Sequence, residues 1–239
     1  MRATLKCKPQ RQTYVLILFF ILLIFLSAEA RAELFGFEAI SNNSGVSGTL
    51  AEQLYVEVTE VKITEEVSQA LFTFYNNPLK FPDFYTDDPI PSSITEAYFD
   101  DGTLLGWPFI INMEGVNFIR GADPANLPGG NMLDPEFTAT VTFSAESDPE
   151  AQINGVNQGE NVGLQFSISS DFDELLDAIE LGFTDPWQDG ALRVGIHIRG
   201  IYPDGADYSD SFIMTPVPGA AILGLLGLSI AGIKLRKFA

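Results

Sequence analysis

Residues 192–199, Leu-Arg-Val-Gly-Ile-His-Ile-Arg, alternate between apolar and polar or small side chains, and this alternation decides the fold class. A period of two residues is the pattern of a half-buried β-strand. Threonine, which is common on the polar positions of residues 137–144, suits the wet face of a strand. Strands with more or less regular alternation are also expected at 54–58, 70–75, 94–99, 137–144 and 162–168.

Turn signals separate these segments, among them Asn76-Asn-Pro78, Pro128-Gly-Gly-Asn131 and Asp189-Gly190. Many short strands with regular turns indicate an antiparallel β-sandwich, jelly-roll-like or immunoglobulin-like, with a barrel as the open alternative. Residues 115–135 lack clear periodicity and are expected to form a surface loop.

One helix is predicted to interrupt the strands and to cross over one end of the core. Asp171 and Glu174 have the spacing of a capping box, and Gly182 is expected to cap the C-terminal end. The apolar residues that follow helical i, i+3, i+4, i+7 spacing are Phe172, Leu175, Leu176 and Ile179.

The first 32 residues have the composition of a secretory signal peptide. Basic residues precede an uninterrupted apolar run at 15–26, and small residues follow, so signal peptidase is expected to cut after Ala30 or Ala32. A permanent anchor is the alternative, but a bilayer core needs about 20 apolar residues. Cys7, the single cysteine of the chain, would leave with this segment.

The last 24 residues, 216–239, combine a chain break, an apolar segment and a basic end. Pro216-Val217-Pro218 ends the preceding structure, because proline cannot donate to a ladder. Residues 219–233 are predicted to form a single transmembrane helix. The basic stop that follows places the C-terminus in the cytoplasm and consists of Lys234, Arg236 and Lys237.

This tail resembles the sorting signal of PEP-CTERM proteins, with Val217 where that family has glutamate. The body resembles the one that many PEP-CTERM proteins carry, in residues 92–105, 121–131, 143–149, 154–160 and 192–201. The resemblance implies an exported cell-surface or extracellular-matrix (biofilm) protein, processed by an exosortase-like transpeptidase, with exopolysaccharide as a candidate partner. It carries no catalytic residue over to this chain.

The body, residues 33–215, is strongly acidic. It keeps five bases and 31 acids, a net charge of −26, whereas the whole chain has −19. Phosphate neutralisation needs Lys and Arg, so this charge excludes nucleic acid as a partner. An acidic surface attracts divalent cations instead.

Two acidic clusters are candidate calcium sites, although no cofactor is required by the sequence. Asp100 and Asp101 precede Gly102, and a hairpin turn between two apolar runs is favoured there over a calcium site. Asp204, Asp207 and Asp210 are spaced three apart in a loop, and a solvated acidic segment is the favoured interpretation of them.

No catalytic constellation is present, so the chain is not expected to be an enzyme. His197, the single histidine, is predicted to point outward beside Arg193 and Arg199 as a solvated strand residue. The function predicted is structural or adhesive. The alternative is a carbohydrate-binding module, with or without calcium, whose sugar-stacking aromatics would be Trp107, Trp187, Tyr98 and Tyr202.

Overall fold

The computed structural model describes residues 31–64, 67–77, 89–100, 104–139, 141–149, 152–169, 171–202 and 207–217. From Ala32 onward these belong to one compact unit. The strands are β1 Ala32–Ala39, β2 Leu54–Lys62, β3 Ser68–Asn76, β4 Ser93–Asp100, β5 Leu104–Asn112, β6 Phe118–Arg120, β7 Ser144–Ser147, β8 Asn161–Ile168, β9 Arg193–Ile201 and β10 Tyr208–Pro216. The helices are α1 Ser47–Ala51 and α2 Phe172–Thr184, with short 3-10 turns at Gly130–Met132, Val141–Phe143 and Gln152–Asn154.

All ten strands belong to one antiparallel sheet, in the order β5-β8-β3-β2-β1-β10-β9-β4-β7-β6. Its two edges, β5 and β6, are consecutive in the chain and are joined by side chains. Asn112 Nδ2 donates to Phe118 O at 3.2 Å, and Phe118 N donates to Asn112 Oδ1 at 2.9 Å. Arg120 Nε donates to Pro108 O at 2.7 Å. The sheet is therefore nearly closed, which protects edges that would otherwise expose unpaired backbone groups.

The inner face of the sheet holds the main core. Phenylalanines from β3, β4 and β8 meet edge to face, with ring centroids 5.0 Å apart for Phe72–Phe99 and 4.8 Å apart for Phe99–Phe166. Helix α2 adds Phe172, Leu175 and Ile179 to the same core. Burial of these apolar side chains is the main stabilising contribution to the fold.

A second layer covers the outer face of β4, β9 and β10. The segment 121–139 lies there, and its Leu127 and Phe137 form a smaller apolar cluster with Tyr98 of β4. Gly195 of β9 makes the close packing possible, because a Cβ at this position would lie 2.5 Å from Leu127 Cδ2. The stretch 115–135, predicted as a surface loop, therefore contains β6 and, from 121 onward, a packed cover over the sheet.

The prediction of a mostly antiparallel β body is confirmed, and a helix is present where one was predicted, at Phe172–Thr184. The strands expected at 54–58, 70–75, 94–99, 162–168 and 192–199 are all present. However, the strands form one continuous sheet, whereas a sandwich has two facing sheets. The hairpin expected at Asp100–Gly102 is also wrong, because β4 pairs with β7 and β9 while β5 pairs with β8.

The helix begins as predicted but ends later. Glu174 N donates to Asp171 Oδ1 at 2.9 Å, so Asp171 is the N-cap. Gly182 is not a C-cap, since α2 continues to Thr184. A Cβ at Gly182 would lie 2.2 Å from Leu192 O, so glycine is needed there for the helix to approach the chain that leads into β9.

The strand predicted at 137–144 is also wrong. Residues 137–139 have no regular structure, 141–143 form a 3-10 turn, and β7 starts at Ser144. The amide of Asn126 replaces a neighbouring strand, because Nδ2 donates to Phe137 O at 3.0 Å and Oδ1 accepts from Ala139 N at 3.0 Å.

Within the described ranges, no helix combines the length and apolar character needed to cross a bilayer. The predicted apolar segments at 15–26 and 219–233 lie outside those ranges, as does the basic stop Lys234, Arg236 and Lys237.

Candidate functional site

A cleft of about 610 Å³ opens beside the ends of β9 and β10 that lie near Ile201 and Tyr208. This volume is in the range of small-molecule sites, roughly 300–1,000 Å³. The described residues that line the cleft come from β9, from the start of β10 with the residue before it, and from the 3-10 turn before β8: Gln152, Ile153, His197, Arg199, Asp207, Tyr208 and Ser209.

A buried carboxylate contacts two of the side chains that line the cleft, His197 and Arg199. Glu96 of β4 is fully buried, and Oε2 contacts His197 Nδ1 across the register pair of β4 and β9. Arg199 Nη2 forms an ion pair with Glu96 Oε1 at 3.0 Å, although no described donor is aligned to hydrogen-bond that oxygen. Burial of a carboxylate away from water is costly unless partners such as His197 and Arg199 lie against it. Glu96 therefore fixes the orientation of His197 and Arg199.

His197 differs from its prediction. It lies on the outer face with Arg193 and Arg199, as expected, but it is only 7% exposed and is not a solvated residue. Its Nδ1 faces Glu96, and the residue also lines the cleft.

The wall formed by Gln152 is fixed by three groups. Its backbone carbonyl accepts from Ser93 Oγ at 2.9 Å. Its side-chain Oε1 accepts from Tyr202 Oη at 3.2 Å, and Nε2 donates to Asp207 Oδ1 at 3.3 Å. Gly200, with φ at +66°, leaves room for this side chain, because a Cβ there would lie 2.6 Å from Gln152 Oε1.

The first calcium candidate has a different role in the structure. The Asp100 carboxylate forms an ion pair with Arg193 and accepts from Thr138 N at 3.0 Å. Arg193 also donates to Pro135 O and Glu136 O, both at 2.7 Å. Asp100 thus fastens the 121–139 cover, while Asp101 lies outside the described residues.

The second acidic cluster is divided between two roles. Asp210 is buried and accepts from Asn43 N at 2.6 Å and from Ser44 Oγ at 2.6 Å, which ties the segment after β1 to β10. Asp207 lines the cleft. Asp204 lies outside the described residues. No group of three potential ligands for a metal ion is found in the part of the chain that the structure describes.

The four candidate aromatics do not form one surface. Tyr98 is fully buried, and its hydroxyl donates to Pro124 O at 3.0 Å. Trp107 on β5 is 44% exposed, and Trp187 after α2 is 68% exposed. Tyr202 is 41% exposed and borders the cleft through its bond to Gln152. Of the four, Tyr202 is the one that the structure connects to the cleft.

The predicted processing sites lie at or just beyond the limits of the described residues. Ala32 is the first residue of β1, whereas Ala30 lies outside the described residues. Pro216 is the last residue of β10 and pairs with Phe35, Val217 follows it without regular structure, and Pro218 lies outside.

The sequence interpretation missed Glu96 and Gln152 as parts of a site. Every residue of β4 from Ser93 to Phe99 is buried, so the strand is covered on both faces and lacks clean alternation. Glu96 could have been recognised as a candidate because it is a polar residue within a strand that is covered on both faces. Nothing in the local sequence distinguishes Gln152.

Comparison of the chain with protein-family models, with curated proteins and with solved structures gives no match.

Proposed function

We propose that this protein is an exported structural or adhesive component of the cell surface or extracellular matrix, sorted by an exosortase-like enzyme through residues 216–239. Support comes from the signal-like segment 1–32, the tail with its basic stop, and the acidic body between them. The signals that the sorting enzyme would read are Pro216, Val217 and Pro218. The proposal assigns no catalytic step to this chain.

The observation that carries the proposal is the pairing of the first and last strands. β1 and β10 are antiparallel neighbours, with Phe35 opposite Pro216. The chain therefore enters the body and leaves it at the same end of the sheet. A body built in this way can be held at a membrane by one end, both before and after removal of a signal peptide, without unfolding.

Truncation of the tail tests the proposal. Removal of residues 218–239 preserves Pro216 and hence the whole of β10. In an exosortase-containing host, the truncated protein is expected in the medium, whereas the full chain is expected in the envelope or matrix fraction. A matched variant changes Lys234, Arg236 and Lys237 to Ala and keeps the apolar segment. It distinguishes the contribution of the basic stop from that of the apolar segment. Retention of the truncated protein by the envelope would show that the tail is not its anchor.

A carbohydrate-binding module is the second candidate function, and the cleft beside β9 and β10 favours it. Its lining combines hydrogen-bonding side chains with Tyr202 at the margin, which is suited to an aromatic contact with a sugar ring. A glycan array probed with and without chelator tests this candidate and its calcium requirement. Binding no higher than that of heat-unfolded protein would count against it.

A further inference from the structure

We infer that the cleft binds an uncharged, hydroxyl-rich glycan segment, with Asp207, Ser209 and His197 as contact residues. The inference rests on the second candidate function, carbohydrate binding, and adds the place and the class of ligand. It begins from the chemistry of the cleft lining.

The lining offers donors and acceptors side by side. The Asp207 carboxylate accepts, the Arg199 guanidinium donates, and the hydroxyls of Ser209 and Tyr208 do both. A bound anion would need donors alone, and a bound metal cation would need acceptors alone. A sugar hydroxyl both donates and accepts, so a ligand with many hydroxyls matches this mixture.

Charge narrows the class of ligand. The body between residues 33 and 215 has a net charge of −26, which repels polyanionic polysaccharides at long range. Inside the cleft, Arg199 is already paired with the buried Glu96, and the Asp207 carboxylate adds a negative charge. A neutral glycan is the class of glycan that this negative charge does not repel.

The contact residues are held in place before any ligand binds. Glu96 orients His197 and Arg199 from beneath, and Tyr202, Ser93 and Asp207 hold Gln152 at the opposite wall. Preorganised polar groups lose less entropy when a ligand binds.

The cleft also lies at the end of β10 opposite the tail. Tyr208 starts this strand and Pro216 ends it, a separation of about 25 Å at the usual rise per residue. If the tail anchors the body, the cleft is directed away from the anchor and toward the matrix.

The test uses the full-length chain purified in detergent. The probes are neutral cello-, malto- and N-acetylated chito-oligosaccharides, with alginate and polygalacturonate oligosaccharides as the charged set, and affinity is measured by calorimetry. We expect binding to at least one neutral series, weakened about tenfold by Asp207→Asn and by Ser209→Ala, because each change removes a hydrogen bond at the cleft. Trp187→Ala, an exposed aromatic outside the cleft lining, is the matched control and should leave the affinity unchanged.

Each other result overturns the inference in a distinguishable way. Binding that Trp187→Ala weakens and the cleft variants do not would retain a carbohydrate-binding module and place it elsewhere. Preference for the charged probes would refute the neutral class. If the protein binds none of the probes and still shows a cooperative thermal unfolding transition, which proves that it is folded, both the inference and the second candidate function are removed.

Discussion

Arg193 shows how one buried side chain fastens a covering segment to the sheet. Its guanidinium contacts Asp100, donates to the carbonyls of Pro135 and Glu136, and lies 5.3 Å from the centre of the Phe137 ring. Arg193→Ala removes the positive charge beside the Asp100 carboxylate and the side-chain donor of two carbonyls. We expect the free energy of unfolding to fall by about 3–5 kcal/mol, measured by urea denaturation.

The pair of Lys62 and Glu60, in which the lysine side chain is exposed, is the control for Arg193. Its atoms are 3.6 Å apart and Lys62 is 64% exposed, so Lys62→Ala should change the free energy of unfolding by less than about 1 kcal/mol. Equal effects of the two substitutions would show that Arg193 does not fasten the cover.

Tyr75 gives the fold a predictable response to alkaline pH. Partial burial, and then the neighbouring Glu57, raise the pKa of Tyr75 from 10.0 to about 12. The folded state therefore binds this proton more tightly than the unfolded state, and the resulting stability is complete below pH 10 and is lost as pH rises toward about 12. Tyr75→Phe cannot ionise, so its thermal midpoint should fall less than that of the parent across this interval. Parallel curves for the two proteins would contradict the assignment.

At the residue scale, the sequence shows which side of β9 is polar but not what lies against it. The prediction placed His197 correctly on the outer face, but it missed the contact with Glu96, which is 101 residues away. Such long-range pairing is set by strand order, and alternation along a single strand carries no information about order.

At the scale of the elements, helix α2 offers a test in which local helix propensity and tertiary packing predict opposite effects of one substitution. Gly182→Ala should favour the isolated helix by about 1 kcal/mol. In the folded protein the new methyl group would meet Leu192 O at 2.2 Å, so we expect a net loss of about 1–3 kcal/mol in the free energy of unfolding.

Gly48 in helix α1 is the matched control for Gly182. A Cβ at Gly48 meets nothing within 4 Å, so Gly48→Ala should stabilise the protein by about 0.4–1 kcal/mol. A stabilising Gly182→Ala would mean that α2 does not lie against the start of β9 as closely as the structure has it.

The elements that were predicted correctly are those whose pattern and environment agree. Residues 162–168 alternate and have one face in the core, and β8 is found there. Residues 137–144 alternate as well, but the side-chain amide of Asn126 and the burial of Phe137 on the outer face impose another conformation. Tertiary contacts can override β propensity in this way.

At the scale of the whole molecule, the sequence predicted the class of the fold but not its closure. The edges β5 and β6 meet through Asn112 and Arg120, two residues whose local sequence has no strand-pairing signal. The limits of the body, residues 33–215, stay a prediction that rests on the different composition of the signal-like and tail-like segments.

The measurement that tests the central proposal most directly is the intact mass, with terminal sequencing, of the protein recovered from the native cell surface. Sorting predicts a species that begins near Arg31 or Glu33 and ends near Pro216, which retains β1 and β10 almost complete. A species that keeps Lys234 through Ala239 would contradict sorting and would make the chain a simple membrane-anchored protein.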